Sequence, residues 1–201
     1  MKIVICASEA DFAAIIANAQ NIEWVRVDDP VYFSEVSDAL AYINLHPDAG
    51  DGNYEGLQQP VFINSVANTQ LASQHVIRLN GWSGFIEKEQ WEIAGDVTPT
   101  VTAVLAQLGK KAIVTQNTPG FISARSIAMI VNEAYFALGE NISSETDIDT
   151  AMKLGTNYPF GPFEWAAKIG LQNIYDLLQT LAITDSRYEC APALKKLVKK
   201  P

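Results

Sequence analysis

Thr118-Pro119-Gly120-Phe121-Ile122, Asp149-Thr150-Ala151-Met152-Lys153-Leu154-Gly155 and Gly161-Pro162-Phe163-Glu164 mark out the last third of the chain, and their reading decides the fold. From Pro119 onward apolar residues recur at spacings of three and four, the period of helices with a buried face. Ile122–Leu138 reads as the first, with Gly139 near its end. Ser144 and Asp147 form a capping box that opens Glu145–Leu154, and Gly155 is expected to stop it. Gly161-Pro162 opens a helix through Ile169, and Leu171–Leu181 and Pro192–Lys199 follow.

Upstream of Asn117 the pattern changes. Short apolar strands are expected at Lys2–Cys6, Ile22–Val27, Leu40–Leu45, Val61–Ser65, Val76–Asn80, Gln90–Ala94 and Ala112–Gln116. Helices Glu9–Ala19 and Thr100–Leu108, the latter stopped by Gly109, alternate with them, and Phe33–Asp38 is at most a short helix. Such alternation implies a largely parallel, doubly wound sheet. The fold class is therefore α/β plus all-α, with residues 1–117 a sheet domain and 118–201 a helical one.

A length of 201 residues suffices for a real core, and 48% hydrophobic with 18% charged residues is ordinary globular composition. A net charge of −9 sets the chain against nucleic acid and anionic membrane surfaces as partners. The basic run Lys195-Lys196…Lys199-Lys200 reads as a solvated helix end. Cys6 and Cys190 have no metal-ligand spacing, so a reduced, cytoplasmic protein without metal is expected. Met1–Cys6 reads as a strand rather than a leader, and no apolar run reaches the roughly 20 residues of a membrane helix.

The three opening strings, together with Asn132-Glu133-Ala134, resemble in order and spacing the C-terminal helical domain of the 3-hydroxyacyl-CoA dehydrogenases. The resemblance implies a reduced Rossmann-like, NAD-binding domain ahead of a helical substrate and dimerisation domain. It implies NAD-dependent oxidation in fatty-acid metabolism, and a homodimer formed through the helical domain. The helical hairpin that helps the family bind CoA is reduced here to the Asp48–Leu57 loop.

Read residue by residue, the chemistry departs from the family. The phosphate-binding G-x-G-x-x-G should follow the first strand, where glycines admit the pyrophosphate. Cys6-Ala7-Ser8-Glu9-Ala10-Asp11 stands there instead. Ser8 and Asp11 form a capping box, so the helix N-terminus is satisfied by its own side chains, and Glu9 and Asp11 add negative charge. Asp28 or Asp29 occupies the ribose-binding position at the end of the second strand, where Asp-Pro is also ordinary turn chemistry. Ser8 and Asp29 are the cofactor-site candidates; the expectation is no cofactor, or NAD if the family activity persists.

The family's catalytic histidine falls on Asn80 in Arg78-Leu79-Asn80-Gly81, and an amide cannot take a proton at neutral pH. Glu92, twelve residues on, matches the glutamate that orients that histidine, and reads equally as a solvent-facing strand residue. The family's substrate-binding serine lands near Ser65, one step off register, and its asparagine on Ala124. His46 is the alternative base, because it ends a strand at the edge where such sheets bind ligands; His75 belongs at the opposite edge.

The leading expectation is a catalytically inactive or strongly altered family member, a homodimeric binding or regulatory protein that takes an acyl or small hydrophobic ligand. Two alternatives stand beside it: a working dehydrogenase with an atypical site, and a dimerisation module for a full-length paralogue.

Overall fold

The computed structural model describes residues 1–17, 19, 21–47, 54–71 and 73–198, so Asp48–Asn53 of the shortened loop and Lys199 and Lys200 of the basic run lie outside the described residues. The chain forms two compact units, Met1–Phe121 and Ile122–Pro201.

In the first unit the strands are β1 (Lys2–Cys6), β2 (Glu23–Arg26), β3 (Ala41–Asn44), β4 (Val61–Asn64), β5 (Val76–Leu79), β6 (Gln90–Ala94) and β7 (Lys111–Val114). Among the described residues they form one sheet in the order β2-β1-β3-β4-β5-β6-β7. All neighbours are parallel except β5 and β6, which run antiparallel. The exception has a physical cause: only Asn80–Glu89 joins the two strands, fewer than the dozen or so residues a parallel crossover needs.

Helices α1 (Glu9–Ile16) and α2 (Pro99–Gln107) cover one face. Ile15, Val101, Val104 and Leu105 pack there on Ile3, Ile5, Ile43, Phe62, Ile77 and Trp91. The alternate side chains Val4, Cys6, Tyr42, Val61 and Ile63 point to the other face, where Phe33, Tyr54 and Leu57 cover them. The only helical turn on that face among the described residues is the 3-10 segment Pro30–Glu35. Phe33 stacks on Tyr42 with ring centroids 5.2 Å apart, an aromatic plug in place of a full helix.

The second unit holds α3 (Ser123–Gly139), α4 (Glu145–Thr156), α5 (Pro162–Ile169), α6 (Leu171–Ala182) and α7 (Pro192–Val198). Their buried stripes, among them Ala128, Val131, Ile174, Leu177, Leu178 and Leu194, make its core. Gly155 does not stop α4 as expected. The helix continues to Thr156, and Asn157 ends it at φ +56°, a left-handed conformation that asparagine tolerates. No helix among the described residues is long and apolar enough to cross a membrane.

Candidate functional site

Parallel pairing brings the carboxyl ends of β1 to β5 to one edge, and the reversed β6 adds its own beginning to that edge. Three successive strands there finish in asparagine: Asn44 ends β3, Asn64 ends β4 and Asn80 follows β5, each at most 3% exposed. A buried amide must be satisfied at both ends or it costs stability. Asn44 donates Nδ2 to the Tyr54 hydroxyl at 3.0 Å and accepts the His46 N–H at 3.1 Å. Asn64 donates to the Leu45 carbonyl at 3.2 Å and accepts the Gly81 N–H at 3.1 Å. A Cβ on Gly81 would stand 2.6 Å from Asn64 Cγ, so only glycine permits this approach.

Asn80 breaks the pattern. Its backbone N–H donates to the Glu92 carbonyl at 3.0 Å, and its Nδ2 donates to Glu92 Oε2 at 3.2 Å. Its Oδ1 is buried and has no partner among the described residues. Glu92 is 7% exposed, so it is a buried partner of Asn80 rather than a solvent-facing strand residue.

The remaining candidates separate. Ser65 is fully buried just past β4, with its hydroxyl on the Asn68 carbonyl at 2.8 Å. His46 lies at the same edge of the sheet with an exposed side chain. His75, just before β5, is at the opposite edge beside Ser73. Ala124 lies buried in α3 of the helical unit and offers only a methyl group. Among the described residues no group of three or more His, Cys, Asp or Glu side chains could hold a metal ion.

Strand order reverses around β1, which puts a dinucleotide's usual crevice between the exits of β1 and β3. The turn after β1 is closed by its own side chains. Ser8 caps α1, accepting the Asp11 N–H at 3.1 Å and donating its hydroxyl to Asp11 Oδ2 at 2.7 Å. Arg26 NH1 bonds Glu9 at 2.5 Å, and its guanidinium lies 4.7 Å from the centre of the Phe12 ring. Asp29 caps the 3-10 segment through the Val31 N–H at 2.8 Å. Burial, reinforced by Asp29 and Asp28, pushes the Cys6 thiol up, away from the thiolate form.

Arg78 was not among the sequence candidates. It is fully buried in β5, donating Nε to the Ser65 carbonyl at 2.9 Å, NH2 to the Val66 carbonyl at 3.1 Å and NH1 to Asn117 Oδ1 at 2.5 Å. Its guanidinium lies 4.8 Å from the Phe121 ring centre. Asn117, where the sequence reading divides the chain, is thereby tied to the sheet. The missed signal was a cation inside an apolar strand.

In the helical unit the signature residues join helix ends. Asp149 of α4 accepts the Phe163 and Glu164 N–H groups at 2.8 and 3.2 Å, serving as the cap that Gly161 lacks the side chain to provide. A Cβ on Gly161 would lie 2.4 Å from Asp149 Cγ. Glu164 accepts the Gly161 N–H at 2.9 Å and pairs with Lys153 at 2.5 Å. These two donors, Lys153 first, hold its carboxyl below the usual glutamate range. Asn132 clasps Glu189 and Ala191 through both ends of its amide, at 2.9 and 2.8 Å.

Comparison with known proteins matches residues 120–201 to the 3-hydroxyacyl-CoA dehydrogenase C-terminal domain. The chain is 49% identical over 77 residues to a 3-hydroxyadipyl-CoA dehydrogenase of Escherichia coli, covering 38% of this chain and 16% of that protein. It is 37% identical over 101 residues to a probable 3-hydroxybutyryl-CoA dehydrogenase of Bacillus subtilis, covering 49% and 35%. The aligned segment thus spans about a third or less of these curated relatives. The crystal structure of the (S)-3-hydroxybutyryl-CoA dehydrogenase of Ralstonia eutropha superposes with a TM-score of 0.67 at 21% identity, covering 98% of this chain and 93% of that one. FadB2 of M. tuberculosis superposes with a TM-score of 0.75 at 14% identity over the same shares. Likeness at this identity concerns the fold.

Proposed function

The chain belongs to the 3-hydroxyacyl-CoA dehydrogenase family through residues 120–201, and from that premise we propose a non-catalytic member that binds a hydroxyacyl ligand at the carboxyl edge of its sheet without oxidising it. The observation that carries this reading is the Asn80–Glu92 pair. The partnership that the family resemblance implies for a histidine and a glutamate is in place, with Nδ2 3.2 Å from Oε2. The group that ought to take the proton, however, is an amide. Ala124, for its part, brings no polar group.

NAD, the cofactor the resemblance implies, does not fit the turn after β1. A pyrophosphate there meets the Ser8 hydroxyl, the Asp11 and Glu9 carboxylates and a helix N-terminus already capped. No hydride step is therefore assigned.

The functional unit in this reading is a homodimer assembled through the helical unit. Support comes from apolar side chains left in solvent there: Leu154 and Ile183 are each 83% exposed and Ile142 is 68% exposed.

The test has two parts. Thermal shift with millimolar NAD or NADH is expected to show no stabilisation, since a saturating ligand must raise the melting temperature. 3-Hydroxybutyryl-CoA is expected to bind with no NADH formed. NADH production that disappears in Glu92→Gln or His46→Ala overturns the reading in favour of an atypical dehydrogenase. Light scattering reads the oligomer: a homodimer is expected, and a monomer that co-purifies only with a full-length dehydrogenase favours the dimerisation module.

A further inference from the structure

We propose that the helical unit holds a binding site for a small amine with an apolar body, in the groove between the end of α3, the start of α4 and α7. The site is independent of the sheet-edge reading above. Gly139, on its wall, lies about 22 Å along α3 from Ala124 at roughly 1.5 Å per residue.

The groove has a volume of about 590 Å³, within the roughly 300–1,000 Å³ of small-ligand sites. Phe136, Leu138, Ala193 and Leu197 give it apolar walls. Leu197 is 43% exposed, surface that an apolar ligand would take out of water. A Cβ on Gly139 would stand 3.3 Å from the Ala193 Cβ, so α3 and α7 meet closely there.

One polar group points to a ligand. Tyr135 lines the groove and is only 6% exposed, yet among the described residues its hydroxyl has no hydrogen-bond partner. Its ring is held in place, packed edge-on against Phe163 with centroids 5.0 Å apart. Burial first, then the Glu145 and Asp149 carboxylates, push the phenol up, so at neutral pH it is protonated and can both donate and accept. A phenol so placed is a fixed hydrogen-bonding point at the wall of an apolar groove.

The surrounding charge selects the sign of what it binds. Glu140 and Glu145 line the groove against one cation, Lys196, and none of the three forms an ion pair among the described residues. The 17-residue α3 brings its negative pole here, with no basic residue in its last turn. The start of α4 would favour an anion, but Ser144 already caps it and Glu145 and Asp147 occupy its first turn. An ammonium group therefore meets two carboxylates, a helix carbonyl end and a hydroxyl that can accept, with two aromatic rings alongside. A carboxylate in the same place meets like charge and has Lys196 alone in its favour.

The experiment is titration of the full chain with 2-phenylethylamine and, separately, 3-phenylpropionate, followed by calorimetry and by amide chemical shifts. The amine is expected to bind roughly tenfold tighter, with shifts centred on the end of α3 and on α7. Replacing the two exposed carboxylates together, Glu140→Gln with Glu145→Gln, is expected to remove the preference. Tyr135→Phe is expected to weaken the amine about fivefold, the worth of one hydrogen bond. The proposal is overturned by no binding of the amine at millimolar concentration, by equal or tighter binding of the carboxylate, or by shifts centred elsewhere. A preference that survives the double variant, or an amine affinity unchanged in Tyr135→Phe, overturns it as well. If Tyr135→Phe does not fold, as judged by circular dichroism, the wild-type preference and the double variant decide.

Discussion

The helical unit and the carboxyl edge of the sheet use the same materials, buried amides and carboxylates, to opposite ends. Around Asp149, Gly161 and Glu164 the two carboxylates close a helix terminus, and Asn132 uses both ends of its amide. At the sheet edge Asn44 and Asn64 are closed in that way too, but among the described residues the buried Asn80 Oδ1 has no partner. The residues that identify the family are thus mostly fold devices, while at Asn80 the fold leaves one end of the amide unused among the described residues.

The largest expected effect lies inside the sheet unit and tests how far this contrast extends. Arg78→Met strands the buried Ser65 and Val66 carbonyls and removes the bond to Asn117 Oδ1. A loss of about 4 kcal/mol in denaturant unfolding is expected, in the range for dismantling a buried charged network. Arg78→Lys should recover only part of it, since an ammonium cannot reproduce the fork. A change under about 1 kcal/mol would mean that this guanidinium does not hold the 65–66 turn to the 117–121 segment.

Next comes Asp149→Ala, which leaves two N–H groups at the start of α5 without their cap. About 3 kcal/mol is expected from the lost cap and the unsatisfied donors, read as a lower melting transition. Gly161→Ala should act in the same direction through its clash with Asp149. Asn80→Ala, by contrast, should cost less than Asp149→Ala, because it removes one donor to Glu92 together with an orphaned acceptor, whereas Asp149→Ala uncaps two N–H groups. If Asn80→Ala were as damaging as Asp149→Ala, the distinction between a fold device and an incomplete site would fail.

How much of this was legible follows from what each signal encodes. Strand and helix positions came through to within a few residues, because burial imposes the periods of two and 3.6 that the sequence displays. Strand direction did not, since the side chains of β6 alternate identically whichever way it runs. The shortness of Asn80–Glu89 was the usable cue. The pairing of Asn80 with Glu92 was readable only through the family resemblance, as neither residue type is unusual in its place. Asn44 and Asn64 escaped notice although each closes an apolar run, Ala41-Tyr42-Ile43 and Val61-Phe62-Ile63, with a residue that strands disfavour. The end of α4 was misplaced because glycine is the usual stop, and Asn157 two residues later can take the same left-handed conformation.

The smallest expected effect is in acid and belongs to the helical unit. Lys153 and the Gly161 N–H lower the Glu164 carboxyl in the folded chain, so the unfolded chain binds the proton more readily. The stability this supplies is present above the ordinary glutamate value of about 4.3 and is lost as pH falls through the lowered folded value. Glu164→Gln keeps an acceptor for the Gly161 N–H but cannot ionise, so its melting temperature should fall less steeply than wild type's below that range. The side chains of Lys153 and Glu164 are 36% and 40% exposed, and added salt should narrow the gap between the two profiles. Superimposable profiles at low salt would show that the pair is only a surface contact, and that Asp149 alone carries the junction between α4 and α5.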